Sequence, residues 1–163
     1  MKELIIIVET RSSNRSDWMY IKSALDYYYK SRTYGIKKIF ATSKTELINQ
    51  TNKVNEYISK SQREPIVLLC ADYDRKEELN EKIKDYCFKN DFNLVWMNLD
   101  VEDVFWGKQV SQKDKEKQAI HFQKKKNNLF AKGINLLEMD PLKKRHTSNL
   151  LCVLDCYFER KFI

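Results

Sequence analysis

The stretch that most constrains the fold is Ile66-Val-Leu-Leu-Cys-Ala71, a continuous apolar run opened by Pro65 and stopped by Asp72-Tyr73-Asp74-Arg75. An apolar run of this length, bounded by proline and by charge, reads as a strand buried on both faces, hence as part of a parallel sheet. Ligands of open α/β sheets gather at the carboxyl ends of the strands. Asp72 and Asp74 therefore stand where a metal or a phosphate would be handled. Alternate strand residues share a face, so the two carboxylates can converge on one cation. Mg²⁺ typically takes one or two carboxylates together with water and substrate phosphate. The plainer expectation is that an Asp at a strand end caps a helix or forms a turn.

Further acidic strand ends give the pair its weight. Leu4 to Val8 is a β-branched apolar run followed at once by Glu9. The polar stretch Thr10 to Asp17 forms a loop, and Ser16 or Asp17 caps a helix from Trp18 to Lys30. Ile36 to Ala41 is a second strand, and Thr42 or Ser43 caps a long helix from Lys44 to Ser61 with Leu47, Val54, Tyr57 and Ile58 as its buried stripe. A third helix runs from Arg75 to about Asn90, with Leu79, Ile83, Tyr86 and Cys87 at helical spacing. Asn93 to Met97 is a fourth strand, and Asp100, Glu102 and Asp103 follow it, a group that equally suits the first turn of a helix. Strand-helix repeated four times predicts an α/β fold with a parallel four-stranded sheet flanked by helices. Glu9, the Asp72/Asp74 pair and the Asp100, Glu102 and Asp103 group then share one sheet edge.

Gly107 closes this core, and the division expected is 1–107 as the α/β unit and 108–163 as a lysine-rich helical extension that packs back on it. The net charge is +7, an excess that points to an anionic partner such as nucleic acid. Lys124, Lys125 and Lys126 form one basic run and Lys143, Lys144 and Arg145 another. Either can meet a phosphate backbone or simply be a solvated face. Leu150 to Phe158 reads as a final amphipathic helix, and His121 as a lone surface histidine. Cys70, Cys87, Cys152 and Cys156 lack the paired spacing of a zinc site and read as reduced, structural thiols. With no signal-peptide pattern and no stretch of membrane-spanning length, a cytoplasmic protein without a membrane partner is expected. The sequence contains no P-loop, dinucleotide fingerprint or nucleophile elbow, and its two histidines are far apart. What is left by elimination is carboxylate and metal chemistry.

Glu9 after Leu4 to Val8, and Asp72-Tyr73-Asp74 after Ile66 to Ala71, resemble the Toprim domain of topoisomerases, primases and related nucleases. That family has a Glu ending its first strand and an Asp-x-Asp ending its third. The continuation Arg75-Lys76-Glu77-Glu78 is similar to a run seen in several Toprim proteins, and the resemblance covers about residues 1 to 106. Among them the small stand-alone RloB-like kind of bacterial defence loci looks nearest. Thr10 stands where the family usually has Gly, and the loop from Arg11 to Asp17 is bulkier and more basic than usual. The resemblance implies a Rossmann-like core and Mg²⁺- or Mn²⁺-dependent phosphodiester hydrolysis of DNA or RNA. Asp72 and Asp74 would hold the metal, with Glu9 as general acid/base or a further ligand. Asp100, Glu102 or Asp103 would hold a second cation. Arg11, Arg75, Lys124, Lys125, Lys126, Lys143, Lys144 and Arg145 would meet the nucleic acid. A partner protein from a defence operon is also implied. The competing readings are a degenerate Toprim module that binds nucleic acid or protein without turnover, and an unrelated receiver-like or flavodoxin-like fold.

Overall fold

The computed structural model describes residues 1–10, 15–132 and 136–161, with the side chain of residue 136 left aside. Arg11 lies outside the described residues. Four strands form one parallel sheet in the order β2-β1-β3-β4. They are β1 (Lys2–Glu9), β2 (Tyr34–Ala41), β3 (Glu64–Tyr73) and β4 (Asn93–Asn98). The central strands β1 and β3 carry the two uninterrupted apolar runs, because only they have a strand on either side and cover on both faces.

Side-chain alternation sorts these runs into two cores. Leu4, Ile6 and Val8 of β1, with Ile66, Leu68 and Cys70 of β3, point into a cluster built on α1 (Ser16–Tyr28), α5 (Lys115–Ala131) and α6 (Leu150–Leu154). Ile5 and Ile7, with Val67, Leu69 and Ala71, point into a cluster under α2 (Thr51–Lys60) and α3 (Glu77–Asn90). The α4 helix (Val101–Trp106) joins the first cluster through Val101 and Val104. The α5 helix lies on α1 through Ala119, Phe122 and Phe130, and Trp106 Nε1 donates 2.8 Å to the Tyr20 hydroxyl in the same seam. Tyr27 and Tyr28 pack their rings against Phe130.

Several boundaries depart from expectation. The α1 helix begins at Ser16, so Asp17 sits in its first turn and neither residue caps it through its side chain. The expected helix from Lys44 to Ser61 divides into a 3₁₀ turn (Thr45–Asn49) and α2. The break follows from Lys44, which is buried rather than on a solvated face, and from Leu47, which is anchored in the second core. The final helix stops at Leu154 instead of Phe158. The segment before it covers the open edge of β4. Asn149 accepts from Trp96 N at 2.9 Å and donates to Leu94 O at 3.0 Å, and Asn98 N donates to Thr147 O at 2.9 Å. An exposed strand edge is otherwise a template for association. All four cysteines are free, with Cys70 and Cys87 buried and Cys152 and Cys156 exposed. No described helix is long and apolar enough to cross a membrane.

Candidate functional site

The carboxyl edge of the sheet carries the acidic strand ends. Glu9 is the last residue of β1, and Thr10 N continues the ladder to Ala41 O at 2.8 Å, which fixes the strand end. Asp72 lies in β3 in alternation with Leu68 and Cys70, so it shares the face on which α1 packs. The first turn of α1 brings Asp17 to the same place. Glu9, Asp17 and Asp72 line one pocket of about 230 Å³, together with Gln112 and Lys115 from the chain leading into α5. The same three carboxylates also line a small neighbouring cavity whose other walls include the apolar side chains of Ile21, Met97 and Val101.

These apolar walls set the electrostatics. Burial, and then the charges of Glu102 and Glu9, hold the Asp17 carboxyl well above the ordinary range. Burial, then Asp17 and Glu9, does the same to Asp72. Glu9 is raised by burial against the pull of Lys44, Lys76 and Lys115. Glu102, in the first turn of α4, is only 1% exposed, and burial pushes its carboxyl up to about 7. Its Oε2 stands 3.9 Å from Lys115 Nζ, and its Oε1 has no hydrogen-bond partner. Glu9, Asp17 and Asp72 are half-buried and Glu102 fully buried, and Lys115 is a cation that reaches among them.

The remaining acids are used otherwise. Asp74 departs from the expected convergence with Asp72. The strand ends at Tyr73, so the same-face rule no longer governs residue 74. Its Oδ1 instead accepts from Lys44 Nζ at 2.8 Å and from Lys76 N at 3.0 Å. Lys44 also donates to Asn80 Oδ1 at 2.5 Å. Burial alone would raise Asp74, but the Lys44 bond and the Lys76 N–H hold it below the ordinary carboxylate value. Asp100 is the N-cap of α4, accepting from Asp103 N at 2.8 Å. Asp103 is fully buried and faces His146, whose Nδ1 is 3.2 Å away. Among the described residues no three His, Cys, Asp or Glu side chains already surround a single point as metal ligands would.

The basic residues separate similarly. Lys124 and Lys125 are exposed on α5, and Lys126 pairs with Asp26 at 3.7 Å. Arg75, Lys143, Lys144 and Arg145 lie together, with Lys76, around a second and larger concavity. His121 stacks on Trp106, ring centroids 5.8 Å apart.

Sequence reasoning missed three site residues: Asp17, Lys115 and Lys44. Asp17 was legible as a cap candidate, and starting its helix two residues earlier would have turned it toward the strand ends. Lys115 and Lys44 carry no local signal, since each acts through a contact distant in sequence.

No family model matches the chain. A stretch of 46 residues is 44% identical to olivetolic acid cyclase of Cannabis sativa, covering 28% of this chain and 46% of that protein. The chain thus spans about half the length of that relative, and the match assigns no family.

Proposed function

We propose that this chain is a Toprim-type, metal-dependent phosphodiesterase that hydrolyses nucleic acid, of the small RloB-like kind associated with bacterial defence. The observation that carries the reading is the meeting of Glu9, Asp17 and Asp72, from three separate elements, in one pocket beside Lys115. The donor set fits a hard divalent cation: it consists of carboxylate oxygens, and the buried Glu102 Oε1 beside it has no partner. Glu9, Asp17 and Asp72 would hold Mg²⁺ or Mn²⁺, and Glu102 with Asp100 would hold a second ion. Such ions supply a Lewis acid for a phosphoryl oxygen and a water acidic enough to attack at neutral pH. Loading involves side-chain rotation, because the carboxylates do not yet close on one point. Without a metal, burial holds the Glu102 carboxyl near 7, and it would lose its proton on binding a cation. Lys115 Nζ, which faces Glu102, is placed to receive a phosphate oxygen once the acids are neutralised.

One observation favours the degenerate, non-catalytic reading. The carboxylate of the second acid of the Asp-x-Asp pair is committed to Lys44 Nζ and the Lys76 N–H, not to the pocket. Calorimetric titration with Mn²⁺, followed by a nuclease assay, separates the two. Saturable binding in the wild type and in Asp74→Asn, lost in Asp72→Asn and in Asp17→Asn, together with strand cleavage, is the expected result. Cleavage that survives in Asp72→Asn/Asp17→Asn sinks the proposal. Salt-sensitive strand binding that ignores both metal and these substitutions establishes the non-catalytic module.

A further inference from the structure

The fold gathers two of the basic runs that the sequence keeps far apart. Arg75 and Lys76, in the turn after β3, and Lys143, Lys144 and Arg145, in the loop before α6, line one open pocket of about 720 Å³ at the carboxyl edge of the sheet. The single carboxylate that shares it, Asp74, is already bonded to Lys44. Lys143 is 85% exposed and pairs only loosely, at 3.8 Å, with Asp140. Arg75, Lys76, Lys144 and Arg145 form no ion pair among the described residues. Lys76 is offset in part by Glu9 and Asp74, and Arg145 by Asp103, but no carboxylate closes an ion pair with either. Like charges gathered in one concavity repel, and an anion relieves them. The lysines of α5 offer no such arrangement, since consecutive helical residues splay around the axis and Lys126 leans toward Asp26.

The loop that brings these cations is fastened. Asn98 Nδ2 donates to Pro141 O and, at 2.6 Å, to Lys144 O, and Thr147 Oγ1 donates to Lys144 O at 2.5 Å. His146 takes a left-handed backbone, φ 62°, which turns its ring toward buried Asp103. A side chain held at positive φ is strained and persists where its surroundings fix it. The cationic side chains therefore hang from a braced loop. Leu142, 55% exposed, adds an apolar surface at the pocket's lip.

We propose that this pocket is a phosphate-backbone site that takes consecutive phosphates of a single nucleic-acid strand beside the acidic pocket. A concavity of this volume suits a ligand of a few linked nucleotides. The ligand's identity rests on the nucleic-acid reading above, but the pocket and its charge do not.

The test is fluorescence anisotropy with a short fluorescein-labelled DNA strand and its RNA counterpart, in EDTA, over a series of salt concentrations. Lys143→Gln/Lys144→Gln/Arg145→Gln is compared with the control Lys124→Gln/Lys125→Gln, all exposed positions that leave the core intact. The triple variant should bind at least about tenfold more weakly at low salt. Its plot of log affinity against log salt should be shallower by about 2, since each phosphate contact on a single strand contributes about 0.7. The control should stay within about twofold of the wild type. Equal losses in both variants, or an unchanged slope in the triple variant, overturn the pocket. Binding of a labelled nucleoside triphosphate that depends on the triple, with no binding of the strands, overturns the strand assignment. Strand binding lost in the triple variant, with no hydrolysis by the Mn²⁺-loaded wild type, sinks the nuclease reading and leaves the pocket. Hydrolysis by a triple variant that binds like the wild type does the reverse.

Discussion

Glu102→Gln tests the electrostatics of the acidic corner without presupposing any ligand. The side chain is 1% exposed, its Oε1 has no partner, and its Oε2 lies at the long distance of 3.9 Å from Lys115. Burial raises the carboxyl from 4.5 to about 7, with Lys115 pulling the other way. A folded-state value above the unfolded one means that the native chain holds its proton longer. Stability from this group is then fully present below about pH 4.5 and is lost as pH rises toward 7. At about 1.4 kcal/mol for each pH unit, the native state gives up about 3 kcal/mol by pH 8. Glutamine keeps the shape and carries no charge. The variant should therefore be about 2–3 kcal/mol more stable than the wild type at pH 8 and within about 1 kcal/mol of it at pH 5. For a chain of this size that is a rise in Tm of roughly 5–10 °C at the higher pH. Thermal and urea melts at the two pH values read the difference. A variant that is less stable than the wild type at pH 8 would mean that the Lys115 contact outweighs burial. The same difference at both pH values would mean that Glu102 does not titrate in this range.

Three further substitutions probe how the site is held. Lys44→Met removes the amine that Asp74 and Asn80 accept, and should cost about 3 kcal/mol in urea unfolding near neutral pH. Asp74 is held below its ordinary value, so its part of that loss is present above pH 3.8 and fades as pH falls through its lowered value; a loss as large at pH 2 would contradict this. Gly35→Ala places a Cβ 2.3 Å from both Glu3 Oε2 and Arg63 Nη1, and Glu3 is buried. A loss of about 1–3 kcal/mol is expected, and a fully neutral variant would show that the Glu3–Arg63 pair moves aside freely. Asn149→Ala leaves Trp96 N and Leu94 O on the β4 edge without their side-chain partner. It should lower stability by about 2–3 kcal/mol and promote association visible by light scattering, whereas scattering unchanged from the wild type would mean that water satisfies the edge.

The sheet was legible because its signal is periodic and local. The runs Leu4 to Val8 and Ile66 to Ala71 have to be buried on both faces, and the parallel four-stranded sheet flanked by helices follows from them. Helix ends were less legible. Nothing local says that Lys44 is pulled inward by Asp74 and Asn80, and that pull separates the 3₁₀ turn from α2. Likewise nothing local says that Asn149, by occupying the edge of β4, sets where α6 begins.

The candidate site divides along the same line. Sequence places acids at strand ends, but a neighbouring donor distant in sequence decides which of them turns inward. Lys44 claims Asp74, His146 faces Asp103, and Asp100 is drawn to the backbone of its own helix. Glu9, Asp17 and Asp72 form no ion pair among the described residues, and Glu102 has only the distant Lys115. Burial raises all four, repulsion from the neighbouring acids adds to it at Asp17 and Asp72, and the surrounding lysines offset it only in part at Glu9 and Glu102. A corner that is unfavourable to charge and yet built from four acids is stabilised by whatever brings positive charge to it. Its place at the carboxyl edge of a parallel sheet, next to a pocket lined by five basic side chains, is what a phosphodiester requires if it is to be held on one side and met by a cation on the other.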